Sequence, residues 1–178
     1  MVGGFLGDFV KGVLVGDRPH AIEKGIRLHR SIDAFTATEP TMRNSAQYFD
    51  PKIRRFVPII IDIIGDHFLA TNFETHLGEN LSSFAKSVYG VLERHREWMP
   101  PAAERYRRRM AQRDALVRYQ DCETLRGAFE YVARRFDRRD VSEGAMAGFA
   151  SHYGELASDF LSYYPRLEEH VRRWQCEN

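Results

Sequence analysis

The chain has 178 residues, of which 43% are hydrophobic and 29% charged, and its formal net charge is +1. This length and composition are typical of one globular domain, so we predict a single domain over residues 1–178. The near-neutral charge argues against a dedicated nucleic-acid-binding protein, and no apolar run is long enough to cross a membrane. The two cysteines, Cys122 and Cys176, lie far apart, so no disulfide framework is indicated and a reducing cytoplasm is the expected compartment.

Helical periodicity begins at the start of the chain. Apolar residues recur at helical spacing from Phe5 to Leu14, which predicts a short amphipathic helix with Asp8 on another face. After a break that contains glycine and proline, a second helix is predicted over residues 20–35. His29 and Asp33 lie four residues apart on this helix and therefore face the same way.

The most apolar segment, residues 53–69, is predicted to be the central helix. Its apolar residues fall on every side of a helical wheel, which indicates a helix surrounded by protein. Pro58 is expected to bend it, because proline lacks an amide proton and clashes with the preceding turn. The segment also contains Asp62, Asp66 and His67, and buried ionised groups are costly unless they are paired, hydrogen-bonded or bound to a metal.

The remainder of the chain has the same helical pattern. We predict helices over residues 81–99, from residue 102 through a strongly basic stretch, over residues 123–136, and over residues 142–174 with a kink at Pro165. No stretch sustains the alternation of a β-strand. The sequence therefore predicts an all-α fold, a single compact domain of seven or eight helices.

Carboxylates and histidines on two predicted helices supply the ligand types of a divalent cation. Asp62 and Asp66 are one helical turn apart, and His67 lies about 100° further round the helix. With His29 and Asp33 they would suffice for one or two ions such as manganese, iron, magnesium or zinc, which could activate water for phosphoester hydrolysis. The alternative is that the aspartates cap helices or pair with arginines and that His67 is a satisfied core histidine.

Arginines are concentrated in two stretches of the chain. Arginine-rich faces of exposed helices suit an acidic partner, either nucleic acid or protein, and the alternative is an ordinary solvated surface. The candidate partner-binding residues are Arg105, Arg108, Arg109, Arg134 and Arg135.

Four blocks of sequence carry a family resemblance. They are Gly4–Gly12 with its Gly-Asp-Phe, Gly25–Asp33 with His-x-x-x-Asp, Asp62–Leu69 with Asp-x-x-x-Asp-His, and His152–Tyr153 with Phe160 and Tyr164–Arg166. In type and order they resemble the acyl carrier protein phosphodiesterases over nearly the whole chain. The resemblance implies a divergent fold of the HD-type metal-dependent phosphohydrolases and a manganese requirement. It also implies hydrolysis of the phosphodiester that joins 4'-phosphopantetheine to a serine of holo acyl carrier protein, which releases the apo protein.

The resemblance also implies roles for individual residues. These are metal ligands at His29, Asp62, Asp66 and His67, and catalytic carboxylates at Asp8 and Asp33. The Asp-His order is the reverse of the doublet that names the HD superfamily. Family members usually begin with a further N-terminal helix, so this chain is expected to start after it. The acidic carrier protein is expected to dock on the arginine-rich face of a monomer or homodimer.

Two other functions are compatible with the same residues. One is an HD-type phosphohydrolase that acts on nucleotides or another small phosphoester. The other is a non-enzymatic helical module whose arginines bind an acidic partner. Near the C-terminus, His152–Tyr153 and Tyr163–Arg166 combine aromatic rings with donors that suit a phosphate or a pantetheine arm, and the alternative is that they pack helices together.

Overall fold

The computed structural model describes residues 1–178 and contains no β-strand. The α-helices are, in chain order, α1 (Val2–Leu6), α2 (His20–Thr38), α3 (Pro40–Asn44), α4 (Val57–Thr71), α5 (Phe73–Leu77), α6 (Leu81–Arg94), α7 (Pro101–Gln112), α8 (Ala115–Arg118), α9 (Cys122–Arg135), α10 (Arg139–Ser151) and α11 (Tyr153–Glu177). Short 3₁₀ turns cover Ser45–Tyr48, Pro51–Phe56 and Arg96–Trp98. The predicted all-α fold is confirmed, although the structure has eleven α-helices where seven or eight were predicted, because several predicted helices are divided and short helices occur between them. None of the helices combines the length and hydrophobicity that a bilayer crossing requires.

Helix α4 is the centre of the larger of two main hydrophobic clusters. Ile60, Ile64 and Phe68 of α4 are almost completely buried, and they pack in a cluster of 18 buried residues with side chains such as Phe129 of α9 and Phe160 of α11. A second cluster of nine buried residues joins α1 and α2 to α6 and α7. Burial of each large apolar side chain stabilises the folded state by about 1.5–3 kcal/mol. The two clusters therefore hold the helices in place around the site described below.

One face of α4 is open to solvent. Asp62 and Asp66 are exposed and Ile59 is 37% exposed, whereas Ile60 and Ile64 are buried. The exposed residues follow the spacing of one helical stripe. The prediction of a helix enclosed on all sides was therefore wrong in one respect, because the two carboxylates lie on an open stripe and are not sealed in the core.

The start of the central helix also differs from the prediction. The predicted helix begins as a 3₁₀ turn over Pro51–Phe56, and the α-helix begins at Val57. Pro58 consequently lies in the first turn of α4, where its missing N–H would have had no helical partner. It starts the α-helix and has no preceding α-helical turn to clash with, so the reason for the expected bend is absent.

Two further helix boundaries were mispredicted. Helix α1 ends at Leu6, and the periodic apolar residues that follow it include Val13, which is 86% exposed. The predicted last helix is two helices, because His152 leaves helical conformation and its N–H bonds to the Gly148 carbonyl at the end of α10. The spacing of apolar residues continues across this break, so periodicity alone did not reveal it.

Candidate functional site

His29 lies between two carboxylates from different segments. Its Nε2 atom is 3.3 Å from Asp33 Oδ2, one turn further along α2, and 3.6 Å from Asp8 Oδ1, just after α1. The Asp8 carboxylate raises the pKa of His29 more than partial burial lowers it, and Asp33 acts in the same direction. The pKa of Asp8 is in turn lowered, chiefly by His29. An ion pair therefore forms here when the imidazole is protonated.

Gly7 provides the space that this contact needs. A Cβ atom placed on Gly7 would lie 2.2 Å from ring carbons of His29, a distance at which one of the two residues must move. The absence of a side chain thus lets the segment after α1 cross directly over the imidazole. This close approach holds Asp8 beside His29.

Asp62 and Asp66 belong to the same electrostatic group. Both are accessible to solvent on the open stripe of α4, yet protein surrounds them on the other sides, and desolvation is the largest influence on each pKa. Desolvation raises the pKa of Asp62, and repulsion from Asp33 and Asp8 raises it further. Desolvation, with repulsion from Asp62 and Asp8, raises the pKa of Asp66 to about 7. Four carboxylates and one imidazole, from three segments of the chain, thus form one acidic cluster: Asp8, His29, Asp33, Asp62 and Asp66.

His67 lies apart from this acidic cluster. It is only 2% exposed, and its Nδ1 and Nε2 atoms are 2.8 Å from the Tyr119 carbonyl oxygen and 3.2 Å from the Tyr153 hydroxyl. Its ring also stands edge-on to Phe149, at an interplanar angle of 87°. Because both nitrogens have hydrogen-bond partners within the core, this arrangement favours the core-histidine alternative for His67 over a metal-ligand role.

The acidic cluster fits a divalent cation in the kind of donors it offers. Carboxylate oxygens and an imidazole nitrogen are suitable ligands for manganese and similar ions. The crowding that raises two of the carboxylate pKa values is also what a bound cation would relieve. As the side chains stand, however, no three histidine, cysteine, aspartate or glutamate residues are grouped closely enough to hold an ion. The donor types are therefore present without a closed coordination shell.

Two tyrosines that the sequence did not single out border the acidic cluster. Tyr106 of α7 is 50% exposed, and its ring centroid lies 6.1 Å from that of Phe5 and 5.8 Å from that of Phe9. Its pKa is raised by desolvation and then by Asp66 and Asp8. The pKa of Tyr119 is raised by the same kind of influences, with Asp66 the largest after desolvation. An aromatic residue within the basic stretch of α7 was the available signal for Tyr106, whereas nothing in the local sequence marked Tyr119.

The arginines of α7 divide into free and paired side chains. Arg105 and Arg109 are exposed and make no ion pair, so their charges face solvent. Arg108 is also exposed, but its Nε donates to Glu104 at 2.6 Å. Arg107 is buried and donates to both oxygens of Glu104, so it is a structural residue and not part of the basic surface.

The ion pair between Glu104 and Arg107 gives a pH-dependent contribution to stability. Arg107 is the main cause that lowers the pKa of Glu104 from 4.5 to about 2. Because the folded value is the lower one, the contribution is present above about pH 4.5 and is lost as the pH falls towards 2. We expect Glu104→Gln to lower the free energy of unfolding by about 1 kcal/mol at pH 7, and by less at pH 3.

Urea denaturation at the two pH values measures this difference. Glu123→Gln is the matched control. Glu123 is 80% exposed and its contact with Arg126 is long, at 3.5 Å, so this substitution should change the free energy of unfolding little. An equal loss for Glu104→Gln at both pH values would contradict the expectation.

The second group of arginines, on α9, lies on a surface of mixed charge. Arg134 is 3.4 Å from Glu130, and the guanidinium of Arg135 lies 5.7 Å from the ring centroid of Phe136. The open groove beside them is lined by acidic as well as basic side chains: Arg126, Glu130, Arg134, Asp137, Arg138, Arg139 and Glu143. The positive charge here is therefore partly compensated, in contrast to that of Arg105 and Arg109.

The aromatic residues near the C-terminus join helices to one another. The Tyr163 hydroxyl is 2.6 Å from Thr36 Oγ1, which ties α11 to α2. Arg166 donates to Glu39 at 2.7 Å and to Thr41 at 2.6 Å, which ties α11 to the start of α3. These contacts favour the packing role over a phosphate or pantetheine subsite.

Comparison with known proteins identifies the family. The family model described as acyl carrier protein phosphodiesterase matches residues 1–167. Relatives named acyl carrier protein phosphodiesterase include one from Photorhabdus laumondii subsp. laumondii, 28% identical over 95% of this chain and 86% of the relative. Others are from Serratia proteamaculans, 28% identical over 97% and 90%, and from Yersinia pestis, 27% identical over 98% and 91%. No solved structure matches the chain. Since the family model covers nearly all of its length, the chain belongs to the acyl carrier protein phosphodiesterase family.

Proposed function

We propose that this chain hydrolyses the phosphodiester that joins 4'-phosphopantetheine to the serine of holo acyl carrier protein, releasing the apo protein. The observation that carries the proposal is the acidic cluster, which gathers Asp8, His29, Asp33, Asp62 and Asp66 on one open face in a member of this family. Cleavage of a phosphodiester by water requires a positioned base and neutralisation of charge on the phosphoryl oxygens. The cluster has the chemical groups for both.

Each member of the acidic cluster has a distinct proposed role. A manganese ion would be held by His29, Asp62 and Asp66, and when bound it would polarise the phosphoryl group and favour deprotonation of water. His67 is left out because its nitrogens are engaged in the core. Asp33 orients the His29 imidazole through their contact at Nε2. Asp8 is exposed and its lowered pKa keeps it ionised at neutral pH, so it can accept a hydrogen bond from the attacking water and orient it.

Tyr106 is proposed to donate a hydrogen bond to a phosphoryl oxygen. Its ring is fixed against Phe5 and Phe9, its hydroxyl has no protein partner, and its raised pKa keeps the phenol protonated at neutral pH. We expect Tyr106→Phe to lower kcat/KM for the holo carrier about tenfold while leaving the thermal midpoint unchanged.

Steady-state kinetics and thermal denaturation test this expectation. Tyr164→Phe is the control, because that tyrosine stacks on Phe160 and its pKa is raised by desolvation and Glu168, not by a carboxylate of the acidic cluster. A Tyr106→Phe variant with the kcat/KM of the parent protein would show that the hydroxyl is not used.

The carrier protein is proposed to dock on the arginine-rich face. Arg105 and Arg109 offer uncompensated charge next to Tyr106. Arg108 and Arg134 are paired with Glu104 and Glu130, and Arg135 stands beside Phe136, so these three are proposed to contribute less. Opposite charges of this kind accelerate association and make it sensitive to salt. A cytoplasmic location is proposed as well, because both cysteines are exposed and unpaired.

The reaction class is tested by offering several substrates with manganese(II). Holo carrier protein, free nucleotides and bis(p-nitrophenyl) phosphate are compared under one condition. The proposal requires that kcat/KM be highest for the holo carrier, since only that substrate meets both the acidic cluster and the arginines. A preference for nucleotides would favour a small-phosphoester hydrolase, and binding of the carrier without turnover of any substrate would favour a non-enzymatic module.

A further inference from the structure

An apolar loop projects from the protein directly after the segment that carries Asp8. Val13 is 86% exposed and Val15 is 77% exposed, more than any other large hydrophobic residue of the chain. Lys11, at the start of the loop, is exposed as well. We define the loop tip as residues 11–15. Exposure of Val13 and Val15 to water is unfavourable for the isolated protein, and exposed apolar side chains grouped in this way are typical of interaction surfaces.

Both ends of the loop tip are fixed to α2. At one end, Arg30 Nη2 donates to the Val10 carbonyl oxygen at 2.9 Å. At the other, the Gly16 amide donates to Glu23 Oε1 at 2.9 Å, and Glu23 itself is buried. Gly12 and Gly16 have φ values of 79° and 80°, which other residues adopt only with strain. The valines are therefore presented by an anchored turn.

The loop tip lies at the edge of the acidic cluster. Only Phe9 and Val10 separate Asp8 from Lys11 in the chain. The Lys11 ammonium is close enough to lower the pKa values of both Asp8 and His29. A macromolecule that reached these two residues would meet the loop tip at the same time.

We propose that the loop tip is a docking element for the folded body of the acyl carrier protein, a claim that rests on the proposed function. The scissile bond is attached directly to a serine side chain, so the carrier surface around that serine must come next to Asp8. Protein interfaces of this kind have an apolar centre and a charged rim. Val13 and Val15 supply the apolar contact, and Lys11 supplies a charge complementary to an acidic carrier.

The test uses the double substitution Val13→Ser and Val15→Ser in the full chain. Affinity is measured by fluorescence anisotropy with labelled apo carrier protein, which needs no turnover. Kinetics are measured with the holo carrier and with bis(p-nitrophenyl) phosphate. We expect Kd and KM for the carrier to rise about tenfold, while kcat and the rate with the small diester stay within about twofold. Leu161→Ser, at a residue 51% exposed on α11, is the control and should leave all of these values unchanged.

The outcomes separate this inference from the proposed function. An unchanged Kd for apo carrier protein would overturn the docking role even if the parent protein hydrolyses the holo carrier. A double variant that turns a homodimer into a monomer in light scattering would also overturn it, since the valines would then join two copies. Weaker binding of the apo carrier supports the docking role independently of turnover, whereas the absence of hydrolysis by the parent protein would count against the proposed function alone.

Discussion

Replacing Asp66 by asparagine is expected to lower kcat for the holo carrier at least about 10²-fold without lowering the thermal midpoint. The change removes a carboxylate that we propose as a metal ligand, and asparagine keeps the size of the side chain. It also removes the repulsion from Asp62 and Asp8 that, together with desolvation, raises the pKa of Asp66 to about 7. Without added metal the variant should be at least as stable as the parent protein. Turnover and thermal denaturation in the presence of a chelator measure the two effects.

The control for Asp66→Asn is Asp140→Asn. Asp140 is a half-exposed carboxylate on α10 that pairs with Arg138 at 2.6 Å, outside the acidic cluster. The Asp140→Asn substitution should leave kcat unchanged. Full activity of the Asp66→Asn variant would remove Asp66 from the proposed mechanism, and a clearly lower thermal midpoint would show that the carboxylate stabilises the fold instead.

Replacing Gly7 by alanine is expected to lower kcat about 10²-fold, although Gly7 carries no reactive group. The added Cβ would lie 2.2 Å from ring carbons of His29, so the imidazole must leave its position between Asp8 and Asp33. A displacement of about 1 Å at a reacting group is enough for an effect of this size. Overpacking should also cost about 1–3 kcal/mol of stability.

Gly4→Ala is a close control for Gly7→Ala. Gly4 lies within α1, the short helix that ends immediately before Gly7, and a Cβ atom on Gly4 would have no neighbour within 4 Å. Alanine at this position should therefore keep full activity and leave stability unchanged or slightly higher. Equal activities of the two variants would contradict the view that Gly7 positions the imidazole.

Contacts between side chains on the same helix were predictable from the sequence, whereas most contacts between different helices were not. His29 and Asp33 face each other because α2 is regular and places residues four apart on one side. Asp8 joins them from another segment, and the only local sign of this was the glycine before it. His67 was expected beside Asp66 at the site, but its direction, about 100° from Asp66, points into the core. A helical wheel that is apolar all round could not show which side of the helix is open.

The arginines show the same limit at the surface. Arg107 and Arg108 are adjacent and identical in type, and both reach Glu104. Only Arg107 is buried, because the packing of α7 on its neighbours turns that side inward. Spacings of three and four residues along one helix account for both pairings to Glu104, whereas burial depends on contacts between distant segments.

The central claim is that this chain removes phosphopantetheine from a carrier protein by means of the acidic cluster. It is tested most directly by incubating the purified chain with holo acyl carrier protein and following the intact mass of the carrier, with manganese(II) and with a chelator. We predict manganese-dependent loss of the phosphopantetheine mass, to leave the apo carrier, and no loss with the chelator. A carrier that keeps its holo mass in the presence of folded protein and manganese(II) would contradict the claim.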